Sequence, residues 1–300
     1  MLRYAVTTLL PKPPQLPSPD ELASQLRAVL TDWAEVQWCA STGSTNTDLL
    51  QAVKAGAPAP RLLGTHLQEQ GRGRAGRSFQ AGAGDALMFS CAFATSLPLM
   101  ALPTLSVAFG LAATDILAAN VITPDALSMK WPNDIQWHGA KLAGLLTEAA
   151  PARSGAHPHD SSGVRQIVIG MGMNLRGADR LSHDLGRAVA DWACTGSAAP
   201  IHSIVAGLAR AWQETVAWAE RTWKSAHGLA GLASRHARRD ALRGQPISVQ
   251  DQGEELYRGI AAGIDDFGHL LVDTPAGRTR VVAGDISVRP RAAAPRTSGR

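Results

Sequence analysis

Cysteine is scarce in this chain of 300 residues: Cys39, Cys91 and Cys194 stand far apart, odd in number and without a C-x-x-C spacing. That pattern argues against a disulfide framework and a thiolate zinc site, and it suits reduced thiols in a cytosolic protein. No apolar run reads as long enough to span a bilayer. The short apolar patch from Tyr4 to Leu10 follows one arginine and meets Pro11-Lys12-Pro13-Pro14 without a small-residue cleavage site, so it does not read as an export signal. A cytoplasmic protein is expected. Unbalanced charge is missing as well. The formal net charge is +4, but residues 289–300 hold Arg289, Arg291, Arg296 and Arg300 with no acid, which leaves the rest of the chain neutral and makes basicity a poor argument for nucleic acid. Residues 291–300 also lack large apolar side chains and read as a disordered tail. What is left is an ordinary globular composition, long enough for a sizeable core and one or two domains.

Against that background one stretch stands out, Gln68-Glu69-Gln70-Gly71-Arg72-Gly73-Arg74-Ala75-Gly76-Arg77, in which three arginines alternate with three glycines. Glycine lets the backbone turn and lets a ligand approach, and the guanidinium fork suits carboxylate and phosphate. The stretch reads as a loop for a polyanionic ligand. Gly71, Gly73 and Gly76 also satisfy G-x-G-x-x-G, but a dinucleotide-binding turn needs an apolar strand before it and an apolar helix after it, and neither flank qualifies. A solvated flexible linker is the other reading that Gly and Arg alone permit.

Ser18-Pro19-Asp20-Glu21 has the form of a helix start, and Leu22, Leu26, Val29, Leu30 and Trp33 follow on one helical face. Strands are expected at 36–40, 62–67, 87–94, 127–131, 135–137, 141–148 and 164–174, with helices at 47–53, 103–119, 201–224 and 229–239. Trp212 and Trp223 fall on the core side of their helix. Residues 151–163 read as a mobile hairpin tip, in which His157 and His159 have no carboxylate or thiol partner for a metal. Beyond Gly244 the texture changes to short alternating segments, 247–249, 256–264, 270–272 and 280–282, separated by turn residues: a small all-β unit.

Five stretches then recur in a fixed order: Ser44-Thr45-Asn46, the Gly-Arg loop, Lys130-Trp131-Pro132-Asn133-Asp134, Lys141-Leu142-Ala143-Gly144-Leu145-Leu146-Thr147-Glu148, and Gly170-Met171-Gly172-Met173-Asn174. Their order and spacing resemble the biotin protein ligase family, from about residue 40 to residue 290. The resemblance implies an α+β fold, with a mixed β-sheet catalytic domain of the class II aminoacyl-tRNA synthetase and biotin synthetase type, flanking helices and a small C-terminal SH3-like β-barrel. Residues 1–38 are then an N-terminal extension with one helix, 39–243 the biotin- and ATP-binding domain, 244–290 the barrel and 291–300 the tail. Implied too is the reaction: biotin is activated by ATP as biotinyl-5'-AMP with release of pyrophosphate, then transferred to a lysine of a biotin carboxyl carrier protein or domain of acetyl-CoA carboxylase.

Carried over residue by residue, the resemblance places Ser44, Thr45 and Asn46 along the biotin pocket and Gln68 at the ureido ring. Gly71, Arg72, Gly73 and Arg74 close over the biotin carboxylate and the ATP phosphates, with Arg77 on the nucleotide side. Lys141 sits at the carboxylate and α-phosphate, and Gly144 and Leu146 form the pocket floor. Lys130, Asn133 and Asp134 belong to the nucleotide side, with Mg²⁺ entering with ATP near Asp134 rather than in a site made by protein alone. Asn174 lies near the adenylate, and Arg289 reaches toward ATP. Lys141, Arg74 and Asp134 are the expected catalytic residues. The chemistry agrees: a bicyclic urea with a carboxylate tail needs a few buried donors and acceptors among small or apolar walls, and joining two anions needs fixed cations rather than a nucleophile.

There are departures. Phe79 stands where the family commonly has tryptophan, Ala86 where it has asparagine, Gln70 where a small residue is usual, and Asp285 for a frequent glutamate; they bear on how the loop packs when closed. Two rivals remain. A lipoate or octanoate ligase on the same scaffold is disfavoured by Ser44, Thr45 and Gln68. A biotin-responsive repressor is disfavoured because about forty residues with Arg3, Lys12 and Arg27 as their basic side chains are too few for a winged helix-turn-helix, so no operator binding is expected. Monomer and homodimer stay open.

Overall fold

The computed structural model describes residues 15–150, 164–251, 254–282 and 287–290. The Tyr4–Leu10 patch, the tip with His157 and His159, and the 291–300 tail lie outside the described residues.

Seven strands make the central sheet: β1 (Glu35–Thr42), β2 (Arg61–Gln68), β3 (Ala86–Thr95), β4 (Leu127–Lys130), β5 (Asp134–Trp137), β6 (Ala140–Ala150) and β7 (Arg165–Asn174). Their spatial order is β1-β2-β3-β7-β6-β5-β4. Only β1 and β2 run parallel; every other neighbour is antiparallel. On one face pack α1 (Pro19–Val29), α3 (Leu102–Ala118) and α5 (Ile201–Thr222), joined to the sheet through Leu22, Phe89, Leu105, Phe109 and Trp212. Phe89 stacks on Trp212 at 5.3 Å, and the Trp212 indole donates to the Phe109 carbonyl at 3.2 Å. On the other face α2 (Thr45–Lys54) sets Leu49 and Val53 against Ala92 and Val168. Because strand side chains alternate, one face of β3, β7 and β6 carries Phe89, Ile169 and Leu145 to the large core, and the opposite face carries Ser90, Gly170, Gly172, Gly144 and Leu146. In register, Ser90, Gly170 and Leu146 form one row, and Gly172 and Gly144 part of the next.

The structure alters some expectations. The described part of the N-terminal stretch, residues 15–34, packs onto the main core through its one helix. Ser18 Oγ caps the Glu21 amide at 3.3 Å, Leu22 and Leu26 are fully buried in the main core, and β1 already begins at Glu35. The stretch Leu99–Ala118 is in fact long and apolar enough to cross a membrane by length and composition, which corrects the reading above. It is a core helix here, with 61% of its apolar window buried against the sheet and α5. The helix expected at 229–239 is only α6 (Leu232–His236), because Gly228 and Gly231 take φ of +73° and +85° and turn the chain. Just before it, β8 (Trp223–Lys224) pairs with β9 (Gly228–Leu229). Sequence reading missed α4 (Ala178–Leu185), which buries no side chain and is bounded by left-handed Gly177 and Gly186.

Strands β10 (Pro246–Asp251), β11 (Glu254–Ile264), β12 (Leu270–Thr274), β13 (Gly277–Val281) and β14 (Ser287–Pro290) form an antiparallel sheet in the order β13-β12-β11-β10-β14. β14 was not foreseen. Ile247, Val249, Ala261, Leu270 and Val272 fill its core, which is continuous with that of the central sheet.

Candidate active site

The site grows from the small-residue face of β3, β7 and β6. Helix α2 begins at Thr45, two residues earlier than its apolar pattern suggests, and Ser44, Thr45 and Asn46 are each 5% exposed or less. A chain of hydrogen bonds starts there. The Gln68 side-chain oxygen accepts from the Thr45 amide at 2.9 Å. Ser90 Oγ donates to Asn46 Oδ1 at 2.6 Å and lies 2.7 Å from Thr45 Oγ1, whose one hydroxyl proton is shared between Ser90 and Gln68 Oε1 at 3.2 Å. Asn46 Nδ2 then donates to the Leu146 carbonyl at 3.2 Å and to Glu148 Oε2 at 2.8 Å. These partners fix which way the Asn46 amide points. Glycine is required beside it: a Cβ on Gly170 would overlap Asn46 Oδ1 and sit 2.9 Å from Ser90 Oγ.

The arginine loop closes on itself through a Phe79 amide to Gly71 carbonyl bond of 2.9 Å and a bridge between Arg72 and Ser78. Gly71 sits at that neck, where a Cβ would overlap the Phe79 carbonyl oxygen. Arg72 donates to Thr47 Oγ1 at 2.8 Å and stands 3.7 Å from Glu148, while Arg74 reaches across to Asn133 Oδ1 at 3.1 Å. Asn133 is held in turn, donating to the Leu145 carbonyl at 2.6 Å. Lys141 Nζ lies 2.6 Å from Asp134 Oδ1, and a Cβ on Gly144 would come within 3.2 Å of that nitrogen. The Phe79 ring covers Gly172, whose added Cβ would meet it at 2.8 Å.

These groups surround one cavity of about 490 Å³. Of the residues expected from the sequence, Ser44, Thr45, Asn46, Gln68, Arg72, Gly73, Arg74, Arg77, Lys130, Asn133, Asp134, Lys141, Gly144, Leu146 and Asn174 all line it. Gly71 lies behind the wall. Arg289 lies in β14 opposite Ser248, and its side chain is outside the described residues. Six cations, Arg72, Arg74, Arg77, Lys130, Lys141 and Arg187, line the cavity against one carboxylate, Asp134, so its wall is strongly net positive and favours an anion.

Some lining residues were not read from the sequence. Ser90 carried a faint signal, as a lone hydroxyl inside an apolar strand. Leu181, Leu185, Arg187 and Val189 had none, because they arrive through α4 and a strap in which Lys141 and Val189 bridge, the Lys141 amide donating to the Ala188 carbonyl and the Ala190 amide to the Lys141 carbonyl. Asn174 anchors that strap by donating to the Ala190 carbonyl at 3.0 Å.

The mixed sheet therefore carries one polar-lined, cation-rich pocket with the arginine loop at its wall. Residues 38–174 match the biotin/lipoate A/B protein ligase family, and residues 243–289 match the biotin protein ligase C terminal domain. A biotin--[acetyl-CoA-carboxylase] ligase of Mycobacterium tuberculosis is 34% identical over 271 residues, covering 88% of this chain and 93% of its own, and one of Paracoccus denitrificans is 32% identical, covering 82% and 98%. In fold, the chain is similar to the biotin protein ligase of Aquifex aeolicus solved in complex with biotin and ATP, with a TM-score of 0.67 at 20% identity over 86% of this chain and 99% of that one. The chain belongs to the biotin protein ligase family.

Proposed function

We propose that the chain activates biotin with ATP and transfers it to the lysine of a biotin carboxyl carrier domain, in the cytoplasm where both are supplied. The observation that carries this reading is the hydrogen-bonded chain Gln68–Thr45–Ser90–Asn46 lining the same cavity as six cations, its Asn46 end held by Glu148. A ureido ring offers two N–H donors and a carbonyl that can join such a chain; an alkyl acid offers no polar group there, so binding it forgoes about 0.5–1.5 kcal/mol for each hydrogen bond not made. Biotin is therefore favoured over lipoate or octanoate.

In the first step the biotin carboxylate attacks the α-phosphorus of ATP; the new C–O–P bond forms as the bond to pyrophosphate breaks. Lys141 holds the carboxylate against the α-phosphate, Arg74 and Arg77 draw the phosphates in, and Asn133 fixes Arg74. No protein nucleophile is needed, since the difficulty is mutual repulsion of anions and the remedy is placed positive charge. In this reading Mg²⁺ is carried in with the nucleotide phosphates. Mg²⁺ would neutralise phosphate charge there, with Asp134 the protein's oxygen donor on that side. In the second step the carrier lysine attacks the anhydride carbonyl, an amide forms and AMP leaves.

Asp134 also serves as the base for the incoming ammonium in our reading. An Asp134→Asn enzyme supplied with preformed biotinyl-adenylate is then expected to biotinylate the carrier about 10²-fold more slowly; full transfer by that variant removes the base role. The whole reading is tested by ATP–pyrophosphate exchange on the purified chain. Exchange dependent on biotin, and at most weakly supported by lipoate or octanoate, is expected. Exchange without biotin dependence overturns it.

A further inference from the structure

The turn between β11 and β12 has no part in the chemistry above, yet it touches the chain beside it. Three successive carbonyls of the turn are taken by three separate parts of the larger unit. The Asp266 carbonyl accepts from the Leu229 amide at 2.7 Å, Phe267 from Thr104 Oγ1 at 2.7 Å, and Gly268 from the Trp131 indole Nε1 at 2.8 Å. Asp266 Oδ1 adds a bond from the Ala233 amide at 2.9 Å. The last of the three carbonyl contacts is fully buried, and Trp131 is 2% exposed.

The turn is stiff before it meets anything. Asp265 Oδ1 accepts from the amides of Phe267 and His269 at 3.0 and 2.9 Å, and its Oδ2 faces His269 and Arg280 at 3.2 Å. Phe267 is held between Trp223, edge-on at 6.0 Å, and His269, stacked at 5.6 Å. Gly268 has φ of +75° and would bring a Cβ within 3.3 Å of the Thr104 backbone, so any side chain there is strained and tight and glycine is favoured.

Trp131 opens the segment Trp131-Pro132-Asn133-Asp134, in which Asn133 receives Arg74 and Asp134 receives Lys141. The segment is gripped from two sides. β6 holds it where the Leu145 amide donates to the Asn133 carbonyl at 3.0 Å, and the C-terminal unit holds it at Trp131. We propose that the β11–β12 turn is a positioning element for nucleotide activation, acting through Trp131 as its positioning residue. The inference rests on the ligase reading and deepens it, giving the C-terminal unit a part in the first step. A displacement of about an ångström at Asn133 and Asp134 moves both cation anchors off the phosphates, and rates are steep in such displacements.

Trp131→Phe keeps an aromatic side chain in the buried position but removes the N–H together with the five-membered ring that carries it. In the full chain it is expected to lower kcat for biotin-dependent pyrophosphate exchange about tenfold and to raise KM for ATP several-fold, with KM for biotin within about twofold of wild type. Thr104→Val cuts the neighbouring contact without touching the segment, and is expected to lower Tm by a similar amount with wild-type kinetics. Wild-type kcat and KM for ATP in Trp131→Phe, or an equal kinetic loss in Thr104→Val at matched stability, overturns the proposal. Asp265→Asn, which loosens the turn from the far side, is expected to give the same split as Trp131→Phe, and wild-type kinetics there also count against it. ATP-binding calorimetry on these proteins reads the same difference without turnover, so a wild-type chain lacking biotin-dependent exchange would sink the ligase reading and leave the positioning test standing.

Discussion

A Gly170→Ala enzyme is expected to bind biotin about 10²- to 10³-fold more weakly than wild type while unfolding in a single cooperative transition. The new Cβ overlaps Asn46 Oδ1 and lies 2.9 Å from Ser90 Oγ, so one of the two must move. Neither has room. Asn46 is 4% exposed and tied to Ser90, the Leu146 carbonyl and Glu148; Ser90 is fully buried between Thr45 and Asn46. Displacing the amide breaks two buried hydrogen bonds, about 1 kcal/mol each, and strands a polar atom at about 1–2 kcal/mol more, a total of about 3–4 kcal/mol that converts to the loss stated. The strand itself accepts alanine, so the fold survives. Gly172→Ala is the control. Its Cβ meets only the far end of the Phe79 ring, on a half-exposed side chain of the loop region that can swing away, and a loss below about tenfold is expected. Titration calorimetry with biotin, set beside thermal unfolding, separates the two. Wild-type biotin affinity in Gly170→Ala would remove Asn46 and Ser90 from the ligand site.

The same glycines show where sequence reasoning works and where it stops. Gly170 and Gly172 broke the alternation of an apolar strand and so were visible, but that they face Asn46 and Phe79 depends on a register between β3, β7 and β6 that no local pattern carries. Period-2 and period-3.6 patterns placed most strands and the long helices, because burial on one face is written into consecutive residues. Helix α4 buries nothing, so its contribution of Leu181 and Leu185 to the cavity wall left no periodic trace. Ser90 was passed over as one polar residue in a buried run, though a hydroxyl there needs a partner and so points to a network. Lys141 and Asp134 were each singled out, but their 2.6 Å pairing arises only when β5 and β6 pair with a shift near Gln136. The strand-like texture after Gly244 was legible, and its hold on Trp131 was not, since Gly268 and Trp131 are 137 residues apart.

The arginine loop supplies the other large effect. Arg74→Gly is expected to let biotinyl-adenylate escape about 10- to 100-fold faster, and to label lysines of a bystander protein that the wild-type enzyme ignores. The loop is anchored at its neck by the Gly71–Phe79 bond and the Arg72–Ser78 bridge, and its tip is short, with the Gly73 amide bonded to the Arg77 carbonyl at 2.7 Å. What carries the tip across the cavity is the Arg74 guanidinium on Asn133 Oδ1. Glycine in its place leaves the neck intact but cuts that span, and removes positive charge from the side where the adenylate phosphate sits in our reading. The first step should therefore survive in weakened form while retention fails. Arg72 predicts a different outcome. Its contacts are Thr47 and Glu148, on the same side of the cavity as Asn46, so Arg72→Ala should weaken biotin binding about tenfold without loss of carrier selectivity. Filter retention of labelled adenylate on each enzyme, followed by biotin blotting of carrier and bystander in one tube, reads both. If Arg74→Gly holds its adenylate and labels the carrier alone, the loop is a wall of the pocket and not its lid.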